Sequence, residues 1–309
     1  MVQNIVVGFL STSIAVGTSL LLGAIGETFA ERSGVMNLGV EGMMIMGAFT
    51  GFLTLVVTKD PWIATLVATL VGGLVSLIHS FLSVTLRANQ ILSGLAITMF
   101  GTGLSGFLGR PLLGASAQGM PAIPVPILSE IPYVGPILFN HDPITYISYI
   151  LVPVAWLILF KTEFGLTIRS VGEDPAVADS VGINVYRTRY LCIFIGGMLS
   201  GLAGAFLSVA YARMWVEGMT AGRGWIVIVI TIFSMWNPIR AVAGAYLFGA
   251  VSTLGYMFQG LGVAAPSEVL LMLPYILTIV VLLAVSRESV RKRISAPKSL
   301  YKPYVRGER

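Results

Sequence analysis

Charge is scarce in this chain of 309 residues: only 11% are Asp, Glu, Lys or Arg, against roughly 25% in soluble domains. Apolar residues make up 56% of it, and the mean hydropathy is +0.87. A water-soluble packed domain is excluded, and a lipid bilayer is the matching solvent. There is one cysteine, Cys192, set in an apolar run. That excludes an internal disulfide and a thiolate metal cluster. Neither HExxH nor a Cys/His cluster occurs, so no metal site and no cofactor is expected. A G-x-x-x-x-G-K-[ST] loop is also missing, so the chain cannot bind and hydrolyse ATP in the P-loop manner. Energy for any pumping must come from a separate ATPase or from an ion gradient. The N-terminus, MVQNIVVGF, lacks the basic region and small-residue cleavage site of a secretory signal and is expected to remain in the first span.

What the sequence does have is long apolar runs. Windows near 4–26, 38–57, 61–85, 89–108, 143–160, 190–212, 224–236, 241–260 and 268–286 approach the ~20 residues that cross a ~30 Å hydrocarbon core. The expected fold is all-α: a polytopic transmembrane helical bundle of about 8–10 membrane segments. The 224–236 segment is too short to cross unless its flanks continue it. Between the fourth and fifth windows, GRPLLGASAQGMPAIPVPILSEIPYVGPILFNHDP is rich in proline. Proline removes helix hydrogen bonds that lipid cannot replace, so a loop or re-entrant piece is expected there.

Residues 287–309 hold eight Lys or Arg against two Glu. A basic tail beside a membrane helix reads as a cytoplasmic end facing anionic lipid, not as a nucleic-acid site. The expected domains are therefore a permease-like membrane domain over 1–286 and a basic cytoplasmic tail over 287–309. Counting back from the tail puts 161–189 on the same side, in agreement with Lys161, Arg169, Arg187 and Arg189. The Pro-rich loop and the N-terminus then face outside. Arg213 and Arg223 fall outside too, against the positive-inside rule.

A weak internal echo is also present. PWIATLVATLVGGL (61–74) aligns at an offset of 177 with PIRAVAGAYLFGAV (238–251), matching Ala64 with Ala241, Ala68 with Ala245 and Gly72 with Gly249. The two copies start on opposite sides in this topology. That is the inverted repeat of many transporters, with the substrate path between the halves. The abundant Gly needs no role beyond letting helix backbones approach closely in lipid.

One polar stretch interrupts the apolar pattern, FGLTIRSVGEDPAVADSVG at 164–182. Asp174 can N-cap, Pro175 fits the first helical position, Glu173 and Asp174 lie at the positive end of the dipole, and Gly182 can terminate the helix. About two turns remain, with Val177 and Val181 on one face. So short a helix needs something to pack against, either the bundle itself or a partner protein.

Three blocks carry a family resemblance. RSVGEDPAVA at 169–178, followed by Gly182-Ile183 and SGLAGAF at 200–206, resembles the cytoplasmic loop of permease subunits from ATP-binding-cassette importers for branched-chain amino acids, ribose and nucleosides. ERSGVMNLGVEGMMIMGAF at 31–49 and GRGWIVIVITIF at 222–233 are most similar to its nucleoside and simple-sugar branch. The likeness runs over roughly residues 20–285. It implies that the short helix is a coupling helix seated in a groove of an ATPase subunit, with Arg169, Gly172, Glu173, Asp174, Pro175, Ala178, Gly182 and Ile183 in the coupling loop. It also implies a second permease, related or identical, and an extracytoplasmic substrate-binding protein as partners.

Candidates for the substrate path are Asn37, Glu41, Gly42, Met43, Gly224 and Trp225. An ionisable residue near membrane depth is a functional-site hypothesis; for Glu41 the competing reading is an aqueous boundary, with Arg32 or a helix end as its partner. Glu27 and Glu31 are assigned to the interface. Trp225 is either a stacking face for a base or sugar or a belt residue, and Trp62, Trp156, Trp215 and Trp236 are read as belt residues. Two rival classes remain. A rhomboid-type serine protease would use Gly103-Leu104-Ser105-Gly106 with His79 or His141, and an ion-driven secondary carrier would need no docking helix at 169–183.

Overall fold

The computed structural model describes residues 2–260, 266–285 and 296–306. The densest basic run of the tail, Arg287–Arg293, lies outside them. The first half holds α1 (Val2–Arg32), α2 (Val40–Thr58), α3 (Pro61–Ser80) and α4 (Gln90–Gly109). After α4 come the short α5 (Val134–Leu138) and then α6 (Pro143–Lys161), α7 (Glu163–Glu173) and α8 (Pro175–Ser180). The second half is α9 (Val185–Ala205), α10 (Arg223–Phe233), α11 (Pro238–Gly260), α12 (Ser267–Leu271) and α13 (Leu273–Val285). Among the described residues, seven helices are long and apolar enough to cross a membrane; Arg223–Phe233 and Val269–Leu283 are shorter apolar helices. The chain is thus an all-α, multi-pass helical bundle.

Four helices begin on one local device, an Asx followed by proline. The Asp60 carboxylate accepts from Trp62 N and Ile63 N ahead of α3, and Asp142 from Ile144 N and Thr145 N ahead of α6. Asp174 does the same for α8, and Asn237 accepts from Ile239 N at the start of α11. Each cap satisfies helix N–H groups that lipid could not, and the proline fills a position whose N–H is not needed. The Pro-rich stretch after α4 avoids long helix as expected. It holds a turn at Arg110–Leu112 and a minimal antiparallel pair, β1 (Ile123–Pro124) with β2 (Asn140–His141).

The echo between 61–74 and 238–251 corresponds to equivalent packing. α1 runs along α11, and α9 runs along α3. A Cβ on Gly17 would strike the Ala245 carbonyl, and one on Gly249 would strike Gly17 Cα. On the other side, a Cβ on Gly201 would strike the Ala68 carbonyl and Gly72 Cα. Ala68 and Gly72 therefore meet α9 as Ala245 and Gly249 meet α1. These are the positions matched by the offset of 177. The small residues serve backbone-to-backbone approach, the main source of helix association where lipid competes for apolar contact. α1 ends where α9 begins, since Arg189 Nε donates to the Ser33 carbonyl at 3.2 Å, so the two units run through the bundle in opposite senses.

The segment 224–236 is not extended by its flanks. α10 has 11 residues and rises ~16 Å at 1.5 Å per residue, about half of a ~30 Å core. It is a half-crossing, preceded by an irregular 212–222 segment. Two belt assignments are overturned: Trp215 and Trp236 are each only 2% exposed. Trp215 packs edge-on against Phe49. Trp62, by contrast, is exposed. Arg213, against the charge rule in the sequence, has its donors taken by carbonyls: it donates to Ala210 O and Met120 O.

Candidate functional site

At the heart of the bundle the two halves meet through their chain breaks. After α1 ends at Arg32, residues 33–39 turn back along it: Val35 N donates to the Ala30 carbonyl, and Asn37 N reaches the Glu27 carboxylate at 3.0 Å. α2 therefore starts inside the bundle. α10 starts at the same place from the other half. Glu41, in the first turn of α2, accepts from the Thr220 hydroxyl at 2.6 Å, from Gly222 N at 2.9 Å and from Gly224 N at 2.6 Å.

Those three bonds account for Glu41. It is neither at the aqueous boundary nor paired with Arg32, and it caps a helix other than its own. The first N–H groups of a helix have no intrahelical partner and carry its positive dipole end, so a carboxylate there is doubly favoured. Inside a membrane the need is sharper, because water is not available as a substitute. Gly224 has to be glycine for a plain reason: a Cβ would fall on the Glu41 backbone. Gly42 meets the Ile97 carbonyl and Thr98 Cα in the same way, and Met43 is fully buried with its sulfur near Asn37 Nδ2. Asn37, Glu41, Gly42, Met43 and Gly224 thus form one cluster at the facing ends of α2 and α10. Trp225 stands next to it, half-buried.

Sequence reasoning missed Thr220 and Tyr275. The Tyr275 hydroxyl donates to the Ala221 carbonyl at 2.7 Å, steadying the 212–222 segment from α13. Beyond that segment opens a cleft of about 60 Å³ with Arg223, Ser252, Tyr256 and Tyr275 among its lining residues. A hydroxyl two residues before a Gly-x-Gly run was the available signal for Thr220. Nothing in the sequence tied Tyr275 to it.

The polar stretch 163–183 lies at the end of the bundle that carries Arg32 and Arg189. It contains two helices, not one. Thr162 caps α7, its hydroxyl accepting from Gly165 N; Pro175 then disfavours the helical conformation at Asp174, which sits at φ −147°, ψ 97°. Glu173 consequently closes α7 instead of opening α8, a correction to its expected place at the positive end of the short helix. The other expectations for α8 hold: Asp174 caps it, Pro175 is its first residue, and Gly182 follows with φ +90°. The Ile183 N–H returns to the Ala178 carbonyl at 3.1 Å, closing the turn.

Ala178 and Ile183 pack on Val171, Val185 and Tyr304, anchoring α8 from below. Gly172 abuts the Arg32 carbonyl, and the Arg169 guanidinium lies 5.5 Å from the Phe160 ring centroid. The upper face is bare: Val177 is 59% exposed and Val181 is 72% exposed. Tail residues 296–306 strap this assembly. Ser299 Oγ donates to the Gly172 carbonyl at 2.8 Å and accepts from Arg189, and Arg306 pairs with Asp179 at 3.1 Å.

The protease constellation is not assembled. Ser105 donates to the Thr102 carbonyl. The His79 ring lies between Ser93 Oγ and the Met36 carbonyl, which fixes Nε2 as the protonated nitrogen.

The family model described as "Branched-chain amino acid transport system / permease component" matches residues 9–282. A Haloferax volcanii protein named "Putative glucose ABC transporter permease protein" is 39% identical over 97% of this chain and 98% of its own length. The guanosine ABC transporter permease protein of Bacillus subtilis is 38% identical over 94% of each chain. Among solved structures, "An inward-facing conformation of a putative metal-chelate type ABC transporter" superposes with a TM-score of 0.52, 16% identity and coverage of 89% of this chain and 85% of that one, a likeness of fold.

Proposed function

The chain belongs to this transport permease family, and on that footing we propose that it is the membrane subunit of an ATP-driven importer carrying a nucleoside or a related small polar solute. The observation that carries the reading is the short α8, capped at both ends, anchored below and bare above. A two-turn helix is marginal in water, and an exposed Val177/Val181 face gains stability only by being covered. A separate ATPase subunit supplies that cover. Arg169, Gly172, Glu173, Asp174, Pro175, Ala178, Gly182 and Ile183 form the lever, and the tail 296–306 ties it to α9. Under this reading, the end bearing α7, α8 and the tail faces the cytoplasm of the cell membrane.

The substrate path runs beside the meeting point of α2 and α10. Broken helices whose N-termini converge within a bundle mark the substrate site in many transporters; here the N-terminal donors of α10 are held by Glu41, which fixes the wall of the path. Asn37, Glu41, Gly42, Met43, Gly224 and Trp225 hold and line it, with a second permease subunit, related or identical, completing the channel and an extracytoplasmic binding protein delivering the solute. ATP drives the cycle only if the ATPase binds one permease conformation more tightly than the other. A permease for simple sugars is the second reading, favoured by the relative named for glucose. Competition against labelled guanosine uptake in cells separates them. Unlabelled nucleosides are expected to compete while glucose and leucine do not; uptake of glucose with none of guanosine assigns the chain to sugars.

A further inference from the structure

Glu27 and Glu31 stand one turn apart on α1, and neither has any exposed surface. The sequence assigned both to the membrane interface; they lie instead inside the bundle. Each has one oxygen occupied. Glu27 Oε1 accepts from Asn37 N at 3.0 Å, and Glu31 Oε2 accepts from the Trp236 indole. The remaining oxygens, Glu27 Oε2 and Glu31 Oε1, are buried without a hydrogen-bond partner. Spaced i and i+4 on one helix, the two carboxyl groups share a face.

Two carboxylates one turn apart in a buried site repel one another, with no counterion to offset it. The surroundings provide no cation among the described residues. Arg32, next in the chain, turns away to the Met235 and Trp236 carbonyls, and Arg189 on α9 is committed to the Ser33 carbonyl and Ser299. His79 on α3 is held by Ser93 and Met36, Gln90 on α4 accepts from Met36 N, and Tyr301 of the tail is the remaining titratable group near the pair. What reaches the pair is a set of donors, the indole N–H and a backbone N–H. Donors suit a carboxyl oxygen and repel a metal cation.

We propose that Glu27 and Glu31 bind one proton between them, as an O–H···O bond joining Glu27 Oε2 to Glu31 Oε1. The site has a structural consequence, because each carboxyl group also holds a chain break. Glu27 holds the re-entrant 33–39 loop and Glu31 holds the α10–α11 turn. The Trp236 indole bond to Glu31 ties the second half of the bundle to α1, and the shared proton couples that link to the one Glu27 makes with the 33–39 loop. If the turn at 235–236 moves and water enters, the proton can leave and the two charges part.

Infrared spectroscopy of the full-length permease in lipid nanodiscs tests this independently of any transport assay. At neutral pH, where surface carboxyl groups are ionised, the wild type is expected to show the carbonyl stretch of a protonated carboxylic acid, shifted in D₂O. Glu27→Gln and Glu31→Gln each replace the proton by an amide hydrogen of the same shape, so both should fold while losing the band. Circular dichroism of the variants checks that they have. No such band in the folded wild type, or a band that persists in both variants, overturns the proposal.

Discussion

Val181→Asp is expected to cut ATP-driven uptake roughly 30-fold while the permease remains in the membrane at its normal level. Val181 is 72% exposed at the end of α8, and Val177 shares its bare side. If an ATPase groove covers that face, a carboxylate there loses water without gaining a partner. Losses of about 2 kcal/mol are typical of a buried interface anchor, which corresponds to the 30-fold figure. Stability of the bundle should hardly change, since the side chain touches little of it. Two milder variants grade the effect. Asp174→Ala removes the α8 cap and should cost about 1 kcal/mol. Gly182→Val puts a β-branched residue at φ +90°, with strain of about 1–3 kcal/mol. The measurement is uptake rate together with retention of the ATPase subunit by tagged permease. Full uptake in all three variants would remove α8 from the coupling role.

Glu41→Ala should be at least as damaging. Its carboxylate is the acceptor for Thr220, Gly222 and Gly224, so alanine leaves two backbone N–H groups and a hydroxyl without their partner. Hydrogen bonds to a charged group are worth about 1.5–3 kcal/mol each. Even partial rearrangement leaves a deficit of about 3 kcal/mol, or over 100-fold in rate. Because the contacts are to the protein itself, the loss should fall on maximal velocity, with the substrate concentration for half-maximal uptake little changed. Glu41→Gln should lie between, since its amide oxygen replaces one carboxylate oxygen while its NH₂ meets a donor at the other. Asn37→Ala should impair uptake without releasing the ATPase. A raised half-maximal concentration at normal velocity for Glu41→Gln would instead place the carboxylate on the substrate.

Features governed by local rules were legible in the sequence. The Asp174-Pro175 start, the Gly182 stop and the proline-broken 109–142 loop follow from capping and from proline chemistry, and the structure has each where the residues put it. The glycine echo at Gly72 and Gly249 was legible as a pattern, though its cause, two equivalent backbone contacts, is tertiary. What local rules could not reach depends on chain reversal. The 33–39 loop folds back along α1, so Glu27, Glu31 and Asn37 sit deeper than a linear count of residues implies. Trp236 looked like a belt residue because it ends an apolar run; in the fold, that run is a half-crossing whose end is buried under α1. Glu41 was left open between two readings because its three partners are about 180 residues away.

The central claim is that a separate ATPase acting on α8 drives solute through this bundle. Reconstitution tests it most directly: purified permease, its partner subunits and labelled guanosine in proteoliposomes, with ATP and with ion gradients applied in turn. Uptake that requires ATP hydrolysis, ignores proton and sodium gradients and falls about 30-fold with Val181→Asp is the predicted result. Uptake driven by an ion gradient in the absence of the ATPase would contradict it.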